Sequence, residues 1–303
     1  MAQGCADMLV GQISDLTNSV KEFARHNGAD LVGVAPVSRF ENAPSRTSPA
    51  YYLSDATCVV SVGIRMGDPV VENVRRRQTV YSYLHFVNDL LFQELDALTH
   101  SIVRFIGKEG HDAYPIPALN PYHPTLLRGD LSHKHAAVAA GLGQIGWNNL
   151  FLSPAYGPRQ VLSSVVTNAP LEEDSLFEGK LCDPVKCGYR CAKACYVQAI
   201  SIEEKDEFSI GGRRFEHGKH IKWRCLWGCG SLSAAMPMPK EPPTIEELRI
   251  GRVRQQLQSV KKSSSLGETL SANLFMSRIN DKEIPWCWVA CMAVCPVGRQ
   301  ASS

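Results

Sequence analysis

The chain lacks a long apolar run. No stretch of its 303 residues approaches the roughly 18 consecutive apolar residues that a membrane-spanning helix needs. It also lacks charge of one sign, with 32 Lys and Arg against 30 Asp and Glu and a net charge of +2. Domains that live on phosphate backbones are usually more basic, so nucleic acid is not expected as a partner. Residues 1–10 lack the basic start and apolar centre of a secretory signal, and the triplet Arg75-Arg76-Arg77 is internal. The expectation is a cytoplasmic protein with no membrane contact. No segment repeats at a fixed long period, and no C-x2-C pair occurs. That last absence counts against zinc knuckles, which favour such pairs. With 44% hydrophobic and 20% charged residues, the chain is neither disordered nor a coiled coil. Its length suits about two domains.

Cysteine is what stands out. There are 11, of which all but Cys5 and Cys58 fall between Cys182 and Cys295. A reducing compartment disfavours structural disulfides, so clustering of this kind points to metal or redox chemistry.

The first half reads as α/β material. Asp15 to His26 has apolar residues at helical spacing, and Asn27-Gly28 is a stop signal. Ala29 to Val37 and Ala56 to Ile64 read as strands, as does Val161 to Val166. Thr79 to Ile106 carries apolar residues at steps of three and four, which predicts one long amphipathic helix with a packing role. Residues 111–130 hold four prolines and two histidines, including His123, and read as a long loop without regular structure. Leu131 to Ala140 reads as a short helix. Gly141, Gly143 and Gly146 then spell G-x-G-x-x-G, but a helix precedes them and a strand-like run follows, the reverse of a dinucleotide fingerprint. These glycines let backbone approach a ligand or a neighbouring element closely. The texture turns charged and small around Glu172 to Lys180, where a domain boundary is placed: 1–178 and 179–303, with a mixed-charge insert at about 202–284.

Run one of the cysteines is Cys182, Cys187, Cys191 and Cys195; run two is Cys287, Cys291 and Cys295, followed by Pro296, with Cys225 and Cys229 between them. Cys291 to Pro296 has the C-x3-C-P ending of the bacterial ferredoxin run, whose last cysteine ligates the other cluster. A crossed assignment follows. Cys182 or Cys187, together with Cys191, would start one [4Fe–4S] cluster that Cys295 completes. Cys287 and Cys291 would start a second, with Cys195 crossing over and Cys225 or Cys229 adding a ligand. Nine cysteines for eight places leave one spare, and Cys229, beside Gly230, is the one omitted. Trp286 and Trp288 would shield the cluster from water.

Several segments together resemble the epoxyqueuosine reductase and reductive dehalogenase family. They are Gly28 to Ala35, Ala136 to Gly146 (AAVAAGLGQIG), Leu152 to Pro158 (LSPAYGP), Leu181 to Ile200, and Cys291 to Gly298. The resemblance implies an α+β chain: a nitroreductase-like, cobalamin-binding α/β domain followed by a ferredoxin-like domain with two [4Fe–4S] clusters. It implies that the clusters feed electrons to the corrinoid cobalt, which removes oxygen or halogen from a small-molecule substrate. A low-potential donor such as ferredoxin or flavodoxin would supply them. The aspartate of epoxyqueuosine reductases falls at about Leu127 here, with Asp130 near.

A proton must reach the leaving group in such chemistry. The candidates are Asp130, His133 and His135, against the simpler role of the two histidines in capping or facing the short helix. Gly141, Gly143, Gly146, Asn148 and Tyr156 are the candidates for contacting the cofactor, with turn packing as the alternative. Two functions stand side by side. One is a cobalamin-dependent iron–sulfur reductase. The other is an electron-transfer or activator protein that reduces a partner's cofactor or binds a flavin. A zinc-stabilised interaction module ranks below both.

Overall fold

A computed structural model describes residues 2–76, 78, 81–118, 129–195, 197–222, 224–225 and 290–298. The Val-rich runs become strands β1 (Leu31–Pro36) and β2 (Cys58–Arg65). After β3 (Ala113–Ile116), β4 (Gln144–Ile145) and β5 (Phe151–Leu152) comes β6 (Gln160–Thr167). The main sheet has the order β1-β2-β6-β3, and all three of its ladders are antiparallel. Because β6 runs antiparallel between β2 and β3, those two strands share a direction and flank it as a split crossover.

Both faces of the sheet are covered, which is why its strands read as near-continuous apolar runs rather than strict alternation. The pleat sends successive side chains to opposite sides. Val32, Val34, Val60, Val62 and Val165 share a cluster with Val20 and Ala24 of α1 (Ala2–His26) and with Leu95, Leu98 and Ile102 of α5 (Phe92–Lys108). Phe23 and Phe105 stack between those helices at 4.6 Å. Ala35, Val59 and Val166 face the other way, onto Ala136 to Ala140 of α6 (His133–Ala139) and its C-terminal end. The small α6 side chains bring its backbone close to the sheet. At Gly33 a Cβ would lie 2.5 Å from the Ala140 carbonyl oxygen. Gly33→Ala is therefore expected to destabilise by about 1–3 kcal/mol, as overpacking does. Gly107→Ala, at a helical position with nothing within 4 Å, should be neutral or stabilising. Thermal unfolding of the two variants checks this contrast.

Four sequence expectations change. The first helix begins well before Asp15, at Ala2. The segment read as one helix from Thr79 is α4 (Tyr81–Tyr83), a π-helix (Leu84–Leu91) and then α5. Apolar steps of three and four do not separate i→i+4 from i→i+5 bonding. The proline-rich stretch is not wholly irregular, because Pro115 sits inside β3. An edge strand tolerates a residue that cannot donate to the ladder. The expected insert begins as a hairpin, β7 (Ile200–Ile210) and β8 (Arg213–His220). Its turn is Gly211-Gly212, both at positive φ, as a two-residue hairpin loop requires. Phe208, Ile210 and Phe215 join the α6 side of the core, so the hairpin packs on the first half of the chain.

The mixed helix-and-strand class is the one expected. Among the described residues, no helix is long and apolar enough to cross a membrane.

Candidate metal centre

Run one folds around a tight turn. The Lys186 and Cys187 N–H groups bond to Asp183, at 3.0 Å in each case. Gly188 and Tyr189 then take positive φ values of 65° and 54°. This reversal starts the short helix α7 (Arg190–Lys193), which carries Cys191. Run two contributes the helical turn Ala290–Ala293, packed against α7, and then Cys295, whose N–H bonds to the Met292 carbonyl at 3.1 Å.

The two runs converge. Cys182, Cys187, Cys191 and Cys295 all line one cavity of about 290 Å³. The Trp147 N–H donates to Cys182 Sγ at 3.3 Å, and the Trp147 indole N–H donates to the Ser201 carbonyl at 2.9 Å. Burial pushes the Cys191 thiol up to about 12, and the neighbouring Cys182, Cys295 and Cys187 add to the shift. Burial raises Cys182 as well. Thiols crowded in this way hold negative charge only if a metal compensates it, since metal binding is what drives their deprotonation. Among the described residues, no three His, Cys, Asp or Glu side chains group closely enough to hold a single metal ion. Four cysteines on one cavity supply the number of thiolates that a cubane takes.

A second group lies alongside. Cys195 and Cys291 pack against the same buried residues as Cys191. The Ala199 N–H donates to Cys195 Sγ at 3.2 Å, and Asn148 Nδ2 donates to the Cys291 carbonyl at 3.3 Å. Cys225 is half-buried, with its N–H on the Ile221 carbonyl at 3.1 Å. Cys229, Cys287, Trp286 and Trp288 lie outside the described residues, as do Leu127 and His123.

The acid candidates do not converge on the thiols. Asp130 is exposed at a bend. His133 uses both ring nitrogens, with Nε2 on the Pro117 carbonyl at 2.9 Å and Nδ1 on Ser164 Oγ at 3.0 Å. His135 bonds Ser132 Oγ at 2.6 Å and meets the Phe208 ring edge-on at 4.8 Å. These are contacts that pin α6 to the sheet and to the hairpin. Burial, chiefly, lowers His135 to about 3 and lowers His133 as well.

Depressed histidine values carry a stability consequence. Between about pH 6.5 and 3 the unfolded chain binds protons that folded His135 refuses, so stability falls as pH falls through that window. His135→Gln should flatten the slope. Denaturant titrations at pH 7, 6 and 5 check it, and equal slopes in both proteins would contradict it.

Lys134 is a further candidate that the sequence pattern does not mark out. Burial lowers its ammonium to about 8, with Lys222 nearby lowering it further and Cys225 opposing. It donates to the Asn149 carbonyl at 3.1 Å and to Asn149 Oδ1. Asn149 holds φ 59° there. A lysine near 8 can give up a proton close to neutral pH, which neither histidine can do from its neutral form. The signal for it in the sequence was only its place between two histidines at a helix start.

The residues expected to touch a corrinoid are engaged within the protein. A Cβ at Gly141 would strike the Ser175 carbonyl, and one at Gly143 the Leu152 carbonyl. At Gly146 a Cβ would lie 2.7 Å from Leu152 Cδ1. Asn148 is buried, with Oδ1 accepting from the Leu150 N–H at 3.2 Å. Tyr156 lies beneath Arg65, whose guanidinium carbon is 5.3 Å from the ring centre. Of the two possibilities for the glycines, close approach of a neighbouring element is what the packing displays.

No protein-family model matches the chain. It is 27% identical over 205 residues to an epoxyqueuosine reductase of Lactococcus garvieae (strain Lg2), which is 64% of this chain and 54% of that protein. Over 271 residues it is 25% identical to a tetrachloroethene reductive dehalogenase of Sulfurospirillum multivorans, 75% of this chain and 50% of that one. The chain thus spans about half the length of the curated relatives it matches. A solved reductive dehalogenase, described with a mechanism for B12-dependent dehalogenation, superposes with a TM-score of 0.53. At 17% identity, over 92% of this chain and 38% of the other, that is a likeness of fold. In sequence the chain is similar to epoxyqueuosine reductases and reductive dehalogenases, and in fold to a reductive dehalogenase.

Proposed function

We propose that the chain is an iron–sulfur oxidoreductase that removes oxygen or halogen from its substrate reductively. Residues 1–178 form its nitroreductase-like cofactor and substrate domain, and 179–303 its ferredoxin-like domain. Cys182, Cys187, Cys191 and Cys295 hold one [4Fe–4S] cluster; Cys195, Cys225, Cys287 and Cys291 hold the other. The observation that carries this reading is the convergence of Cys295 on three cysteines of run one around a single cavity. The N–H groups of Trp147 and Ala199 aimed at Cys182 and Cys195 fit it too, since hydrogen bonds to sulfur tune cluster potential. The activity itself comes from the relatives, which are named as reductases.

Cobalamin is the further cofactor of this proposal, on the strength of the B12-dependent relative. Gly141, Gly143, Gly146 and Asn148 do not fit it as a cradle, because packing and hydrogen bonds within the protein occupy them, whereas the half-buried Tyr156 faces Arg65. Lys134 joins Asp130, His133 and His135 as a candidate proton donor. RNA enters as a substrate class despite the small net charge, because the sequence relatives include an epoxyqueuosine reductase, named for a modified nucleoside.

The second reading, an electron-transfer or activator protein, is favoured by those same engaged residues. One experiment separates the two. Anaerobically purified protein is incubated with excess corrinoid, desalted, reduced chemically and given an organohalide or an epoxide. About one retained cobalt, with turnover that depends on it, supports the reductase. Reducible clusters with no retained cobalt support the second reading, to be followed with flavin and partner proteins.

A further inference from the structure

The cavity framed by the four cysteines is not sealed. Lys186 and Arg190 stand on its rim, both exposed, and the half-buried Cys187 lies between them in sequence. Arg190 also lines an adjoining hollow of about 390 Å³ together with Lys193 and Arg75. Among the described residues, Lys186, Arg190 and Lys193 form no salt bridge with a carboxylate. The acidic groups beside them are engaged. Asp183 accepts from the Lys186 N–H at 3.0 Å and lies 3.5 Å from Lys180 Nζ. Glu72 pairs with both Arg75 and Arg76. Val185, in the same turn, is 73% exposed. The surface thus carries the exposed Val185 beside Lys186, Arg190 and Lys193, with Asp183 offsetting Lys186 in part, next to the half-buried Cys187.

We propose that this basic rim around Lys186, Arg190 and Lys193 is the docking surface for an acidic one-electron donor protein. The inference rests on the cluster assignment above and adds where the electron enters. In the step, one electron leaves the donor's reduced iron–sulfur centre and reduces the oxidised cluster by one charge, and no proton or bond is exchanged. Interfaces for such transfer are small and transient. Complementary charge raises their rate of encounter and gives it a steep salt dependence. The positive rim selects an acidic partner, and the exposed Val185 gives the encounter a small dry centre.

The test follows cluster reduction by stopped flow, with a small acidic ferredoxin reduced beforehand as donor. Wild type is compared with the Lys186→Glu/Lys193→Glu double variant at low and high ionic strength. Photoreduced deazaflavin, a small donor, reports whether the cluster itself is unchanged. The expected result is a rate constant about tenfold lower for the variant at low salt. The gap should close as salt rises, with equal iron content and equal rates from deazaflavin. Equal ferredoxin rates, or a wild-type rate that ignores salt, overturn the proposal. If the double reversal costs iron, Lys193→Gln alone decides: a severalfold slower rate at low salt supports docking here, and an unchanged rate overturns it. Wild type that holds no iron at all defeats the cluster assignment rather than this surface.

Discussion

Replacing Cys295 with alanine should halve the iron content, from about eight to about four atoms per chain, while leaving the other cluster in place. Cys295 lies more than 100 residues beyond Cys182 in sequence, yet it lines the same cavity as Cys182, Cys187 and Cys191. If each run held its own cluster, Cys295→Ala and Cys182→Ala would lose different clusters, and Cys195, which accepts from the Ala199 N–H, would share the fate of Cys182. The same halving is expected for Cys182→Ala, so the two variants should share one residual electron paramagnetic resonance signal after reduction. Cys58→Ala is the contrast. That thiol is buried in the main core, donates to the Ala169 carbonyl at 3.1 Å, and is raised by burial. It should keep all its iron. Full iron in Cys295→Ala would contradict the crossed assignment.

Gly298→Ala should have nearly the same effect on iron without touching a thiol. Gly298 and Gly157 both have positive φ, 65° and 57°, and pack backbone to backbone. A Cβ on Gly298 would strike Gly157 N, and one on Gly157 would strike the Val297 carbonyl. Arg159 clamps the same strip, with Nη2 donating to the Val297 carbonyl at 2.9 Å and Nε 3.2 Å from Asp68. The four residues Cys295 to Gly298 are thus seated on the S-P-A-Y-G turn that precedes β6. A side chain at Gly298 meets both left-handed strain and overpacking, together about 3 kcal/mol. Melting should drop by several degrees, and the Cys295 site should lose iron. An unchanged melting temperature with full iron would show that this seat is not what positions Cys295.

The pieces that were legible in the sequence are those where one local pattern decides. The Val-rich runs gave β1, β2 and β6 because a sheet covered on both faces needs apolar residues at every position. The C-x3-C-P ending pointed Cys295 toward run one, because it marks a cysteine that serves a distant partner, and Cys295 lines the run-one cavity. The pieces that were not legible depend on context. Pro115 argues against a strand unless its edge position is known. The π segment shares its apolar spacing with an α-helix. The stretch from about 202 read as a mixed-charge insert, although Gly211-Gly212 between Phe208 and Phe215 is a hairpin signal. The roles of His133, Lys134 and His135 are set by Ser164, Asn149 and Phe208, all distant in sequence, and no local pattern could supply those partners. Gly141 and Gly143 read equally as a ligand cradle or a packing point, and only the positions of Ser175 and Leu152 separate the two.

The central claim is that run one and Cys295 enclose an iron–sulfur cluster and not a zinc ion. The most direct measurement is the iron, acid-labile sulfide and zinc content of the anaerobically purified chain. About eight irons and about eight sulfides per chain with negligible zinc are expected. One or two zinc ions without iron or sulfide would contradict it, and the redox reading of the cysteines would fall with it.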